Sequence, residues 1–141
     1  MRPRPLPPPH DPGPVDQDID YWSLNQADLS RALAVCSQEI EQYGVAYAKA
    51  RHAYEILAKT EKSVLAEITN QKLVECPDAS RREREDMARA SERFTTLLRQ
   101  IADAQHEMLV ARARYEAVQA KFEALRSVAA TRRTHMQTFR G

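Results

Sequence analysis

Glycine is almost missing from this chain, with 3 residues in 141. A fold of strands and tight turns needs residues that accept positive φ at many corners, so a turn-punctuated domain is excluded and a glycine-rich phosphate loop is hard to build. Proline is confined in the same way: every proline except Pro77 lies within residues 1–14. Aromatic residues make up 6% of the chain, too little for a large aromatic core. No stretch approaches the roughly 18–20 apolar residues that cross a bilayer, and residues 1–14 hold no apolar segment of the signal-peptide kind. A protein of the cytoplasm without membrane contact is expected. Neither charge sign dominates: 21 Lys and Arg face 20 Asp and Glu, a net charge of +1. No global field therefore draws the chain toward nucleic acid or lipid. The two cysteines, Cys36 and Cys76, would stand about 60 Å apart on an extended helix, which excludes a disulfide between them. Cys36 reads as a small core residue and Cys76 as a residue of a turn.

Groupings that carry chemistry are lacking too. There is no Ser-His-Asp or Cys-His arrangement and no CxxC, so the chain reads as a non-enzyme with no cofactor. The histidines His10, His52, His106 and His135 form no i, i+4 pair. Asp103-x-x-His106 with Glu107 sets a carboxylate and an imidazole on one helical face. Di-iron bundles take Glu-x-x-His from each of two helices and carboxylates from two more. Here one such element exists and Asp replaces Glu, so a solvated polar face is the better reading and no metal is expected.

What is present is heptad order. Residues 1–21 form a proline-rich arm that cannot be helical and is expected to be disordered. From residue 22 the pattern changes. After Gln26 the positions Leu29, Leu33, Cys36, Ile40, Tyr43, Tyr47, Ala50, Tyr54, Leu57, Glu61, Val64 and Ile68 alternate steps of 3 and 4 without a slip. That is the a/d seam of a coiled coil. A second run, from Met87 and Ala90 through Phe94, Leu97, Ile101 and onward to Arg132, Met136 and Phe139, does the same and calls for a left-handed supercoil. Pro77 ends the first helix, and Ser80 with Glu83 fits a capping box opening the second. The expected fold is all-α: a long antiparallel two-helix coiled-coil hairpin, with helix 1 at about 22–75, a turn at 76–79 and helix 2 at about 80–137. Glu61, the one charge in the first seam, reads as a polar layer near Ser91 and Arg93. Bulky residues off the seam, Val45, Ile56, Leu65, Leu73, Leu98 and Leu109, widen the apolar face beyond what one hairpin buries. They point to a homo-oligomer, most simply a dimer forming a four-helix bundle.

A turn near residue 77 makes paired residue numbers sum to about 152–154. Helix 2 then runs past the start of helix 1, and residues 129–141 have no neighbour although Met136 and Phe139 continue the seam. This end is also basic: Arg126, Arg132, Arg133 and Arg140 occur with no Asp or Glu after Glu123, and His135 adds a titratable donor. Cations here favour the helix dipole. They also suit a phosphate or an acidic protein. Arg126, Arg132, Arg133, His135, Met136, Phe139 and Arg140 are the candidate partner or nucleic-acid contacts. The acidic half of the arm, Asp11, Asp16, Asp18 and Asp20, returns to the same end.

Tyr115-Glu116, then Phe122-Glu123-Ala124-Leu125-Arg126-Ser127, then Arg132-Arg133 and Met136 resemble the tail of small bacteriophage and prophage helical proteins. His135 stands where that family often has an acidic residue. The resemblance implies a phage accessory protein of a replication or DNA recombination gene module, in the bacterial host cytoplasm. It implies protein–protein interaction beside single-strand-annealing or single-strand-binding proteins. Direct single-stranded nucleic-acid binding, or a structural or virion assembly role, are the alternatives.

Overall fold

The computed structural model describes residues 20–140, and among them there is no strand. A 3-10 turn, Tyr21–Ser23, leads into three helices: α1, Gln26–Glu75; α2, Arg81–Ala90; and α3, Glu92–Arg140. The expected arm, residues 1–21, lies almost wholly outside the described residues.

Each helix starts where side chains satisfy the first free backbone N–H groups. The Asn25 side chain accepts from the Asp28 N–H at 2.8 Å and opens α1, four residues later than the seam pattern indicates. At α2 the capping box is complete. The Glu83 N–H donates to Ser80 Oγ at 3.2 Å, and the Ser80 N–H donates to Glu83 Oε2 at 2.7 Å. At the end of α1, the Cys76 N–H reaches the Lys72 carbonyl, and Pro77 follows.

One continuous second helix was expected over about 80–137; the structure has two, and α3 runs on to Arg140. The division lies at Ser91, whose backbone is extended (φ −65°, ψ 148°). Its hydroxyl donates to the Ala88 carbonyl at 2.6 Å and accepts from the Phe94 N–H at 3.3 Å. One serine thus ends α2 and caps α3. The break rotates the buried face. Met87 and Ala90, both expected in the seam, are exposed, while Ala88 is fully buried.

α1 lies beside α3 with contacts in antiparallel order. Tyr47 stacks on Tyr115 with ring centroids 6.1 Å apart, Glu67 pairs with Arg93 at 2.9 Å, and Arg132 Nη2 donates to the Trp22 carbonyl at 2.8 Å. Tyr47 therefore meets α3 about two turns further along than a turn centred on residue 77 implies. The loop to Ser80 accounts for only part of that offset, which is not uniform: Trp22 and Arg132 still meet at the expected level. Arg93 bonds Glu67 rather than Glu61, the expected partner. In α1 every seam position from Leu29 to Ile68 is at least partly shielded, and in α3 every one from Phe94 to Arg132.

The buried residues gather near the two ends of the α1–α3 contact. Leu29, Cys36, Leu125, Val128 and Ala129 form one cluster, closed by Tyr21, Leu24 and Phe122. Ile68, Ala88 and Phe94 form the other, against Val64 and Leu65. Between them the tyrosines Tyr43, Tyr47 and Tyr54 are half-buried, as rings with a wet hydroxyl tend to be. No helix of the described residues is long and apolar enough to cross a membrane.

Candidate interaction surface at the end of α3

The first cluster sets the boundary of the site. Leu125 is fully buried, and Val128 and Ala129 nearly so, under Leu29 and the 3-10 turn. Asp20 shapes that turn: its carboxylate accepts from the Trp22 N–H at 3.0 Å, and its carbonyl accepts from the Ser23 N–H and hydroxyl. Beyond Arg132 the cover ends, and every residue from Arg133 to Arg140 is exposed. The seam continues there bare, with Met136 at 61% and Phe139 at 89% exposure. The unaccompanied stretch is thus Arg133–Arg140, shorter than the 129–141 expected, because the 3-10 turn folds over Val128 and Ala129.

The seven candidate residues fall into two groups. Arg126 and Arg132 belong to the packed end of the rod. The Arg126 guanidinium lies 5.9 Å from the centre of the Phe122 ring and meets Glu123 at 3.4 Å. Arg132 is half-buried and tied to the Trp22 carbonyl. Arg133 turns back toward its own helix, with Nε 3.4 Å from the Ala129 carbonyl, while its side chain remains exposed. The side chains of His135, Met136, Phe139 and Arg140 make no hydrogen bond or ion pair among the described residues. The charge of this end is therefore presented by Arg133 and Arg140, near Met136, Phe139 and the exposed His135.

Sequence reading passed over a row of threonines here. Thr131, Thr134 and Thr138 each donate a hydroxyl to the carbonyl four residues back, at 2.9, 3.1 and 3.0 Å. That spacing was the available signal. Back-bonding of this kind satisfies the hydroxyls inside the helix and hides their polarity.

The opposite end differs in charge. Arg81 pairs with Glu85 at 3.1 Å and Arg89 with Asp86 at 3.7 Å, so both signs are interleaved there. An open groove between α1 and α2, lined by Leu65, Leu73, Arg84 and Glu85 among others, shares that mixed character. Mid-rod, Arg51 and Arg112 are held charged by hydrogen bonds to Glu55 and Glu116 on their own helices. Asp103, His106 and Glu107 are all exposed. Among the described residues no three His, Cys, Asp or Glu side chains gather as a metal would need. No protein-family model matches the chain, and neither a curated protein nor a solved structure matches it.

Proposed function

We propose that this chain is an antiparallel coiled-coil hairpin, paired with a second copy as a four-helix bundle, and that it acts as a non-enzymatic accessory protein. The basic end of α3 is its partner-binding surface. The observation that carries this reading is the bare seam at Met136 and Phe139, beside arginines that no acidic residue of α3 offsets after Glu123. Apolar anchors within a rim of one charge sign are the anatomy of a binding surface. Pairing of two hairpins is supported by Val35, Val45, Ile56, Leu98 and Leu109, all large, apolar and exposed on the rod. The resemblance of Tyr115–Met136 to phage helical proteins supports a replication or recombination setting in a bacterial host cytoplasm, with a protein partner.

One observation favours a second reading, direct binding of single-stranded nucleic acid. Phe139 stands open beside Arg140, and an exposed ring with a guanidinium suits a base and its phosphate. Light scattering of the purified chain, alone and with a short single-stranded oligonucleotide at low salt, separates these readings. A dimer mass that ignores the oligonucleotide supports a protein partner. A mass that shifts with it, and an affinity falling with salt at a log–log slope of roughly two for three phosphate contacts, moves nucleic acid to the front. A monomer overturns the bundle, and large ordered assemblies favour a structural role. Arg133→Glu with Arg140→Glu is the substitution to make, because Arg132 also holds the 3-10 turn. Helicity and melting temperature should stay unchanged while binding is lost; unfolding would make this end structural and sink the reading.

A further inference from the structure

We infer that the bare end of α3 is a docking surface for the chain's own segment Val15–Ile19, which masks it until a partner displaces it. Docking rests on the exposed end of α3 and on the sequence of residues 15–19; masking also rests on this end being the partner-binding surface.

A ligand for this surface must cover Met136 and Phe139 and offer negative charge to Arg133 and Arg140. The same end of a second copy cannot do so, because a two-fold contact would set these arginines against their own copies. An extended acidic segment with alternate apolar residues can. Residues 15–19 read Val-Asp-Gln-Asp-Ile. In an extended conformation Val15, Gln17 and Ile19 share one side and Asp16 and Asp18 the other. The apolar side suits the bare seam, and the two carboxylates suit the arginine flank.

The segment also starts in the right place. Ile19 precedes Asp20, which caps the 3-10 turn, and the Trp22 carbonyl of that turn is held by Arg132 at the base of the exposed stretch. Five extended residues reach roughly 17 Å, and Arg132 to Phe139 spans about 11 Å of helix. Tethering at that distance keeps the effective concentration of the segment high, so weak contacts suffice. The remaining basic residues of the arm, Arg2 and Arg4, lie well before this segment, and His135 flanks the opposite side of the seam.

The test uses the full chain with labelled methionine, valine and isoleucine methyl groups. Docking predicts nuclear Overhauser contacts between the Met136 methyl and the methyls of Val15 or Ile19. They should disappear in Asp16→Asn with Asp18→Asn, and the Met136 methyl resonance should shift in Val15→Ser with Ile19→Ser, while Met108 in the shielded seam keeps its position. No such contact in the unaltered chain at low salt, with Met136 unmoved by either pair, overturns the proposal. In a sample mixing labelled and unlabelled chains, contacts found only between chains assign the segment to the second copy and overturn docking within one chain. Masking is read separately with a single-stranded oligo-dT probe. Asp16→Asn with Asp18→Asn should tighten binding by roughly three- to tenfold, the scale of two exposed ion pairs. The mid-rod control Asp103→Asn with Glu107→Gln should leave it unchanged. Equal tightening in the control sinks masking. Methyl contacts without any probe binding keep docking and reject nucleic acid as what the end binds.

Discussion

At the residue scale, Gly44 and Cys36 are explained by what lies across the seam. Glycine inside a helix costs up to about 1 kcal/mol against alanine, and Gly44 lies in the interior of α1. A Cβ at this position would stand 3.2 Å from Tyr115 Cε2. Tyr115 lies against Gly44 because it stacks on Tyr47. Gly44→Val is expected to destabilise the protein by about 1–3 kcal/mol through overpacking. In a Tyr115→Ala background most of that penalty should vanish, and urea denaturation of the four-member cycle measures the coupling. Equal penalties in both backgrounds would mean the ring is not the obstacle. Cys36 is 1% exposed. Burial pushes its thiol up, against Lys121, which pulls it down; Glu39 adds a smaller upward push. The folded state therefore holds this proton more tightly than the unfolded chain. That contribution to stability is complete below the unfolded value of 9.0 and is lost as pH rises through the higher folded one. In native protein at pH 8 a maleimide should label Cys76, which is partly exposed, long before Cys36, and denaturant should remove the difference. Equal native rates would contradict the buried seam.

At the scale of the element, helix boundaries follow from caps that are written locally. Ser80 with Glu83 was readable as a box because the reciprocal carboxylate sits three residues on. Ser91 carried a weaker signal, a serine before Glu92, and the uninterrupted heptad count across it argued for one helix. Hydrogen bonding decided otherwise: the serine hydroxyl serves the Ala88 carbonyl and the Phe94 N–H at once. Ser80→Ala and Ser91→Ala should each lower stability by about 1 kcal/mol, the usual worth of an N-cap. Thermal melts followed by circular dichroism check this. Ser91→Ala should also raise helical signal slightly if α2 and α3 join, and that joined helix would swing Ala88 out of the second cluster. A Ser91→Ala protein as stable as the original would show that the break is not held by this hydroxyl.

For the whole molecule the contrast lies between the covered and bare parts of one seam. Leu125 and Phe139 sit on the same a/d register two heptads apart, yet one is fully buried and the other 89% exposed. Leu125→Ala should cost about 2–5 kcal/mol. With the Val15–Ile19 segment released by Asp16→Asn and Asp18→Asn, Phe139→Ala should fall within about 0.5 kcal/mol of no effect, as read by urea denaturation of each variant at low protein concentration. A large loss at Phe139 would mean that another surface already covers it in the folded protein.

The all-helical class was determined by the sequence alone: scarce glycine, one interior proline and unbroken heptads leave no other regular structure. The seam residues between Leu29 and Ile68, and between Phe94 and Arg132, were legible for the same reason, since periodicity is local and repeats many times. The basic, apolar character of the last turns was legible too. The tertiary structure alone decided the register of α1 against α3, because a repeating apolar pattern does not by itself choose among alternative pairings. It also decided the split at Ser91 and the place where the cover over α3 stops. Arg126 and Arg132 look like Arg133 and Arg140 in sequence. They are set apart by a ring, a carboxylate and a carbonyl that reach them in space: Phe122 and Glu123 at Arg126, and Trp22, far away in the chain, at Arg132.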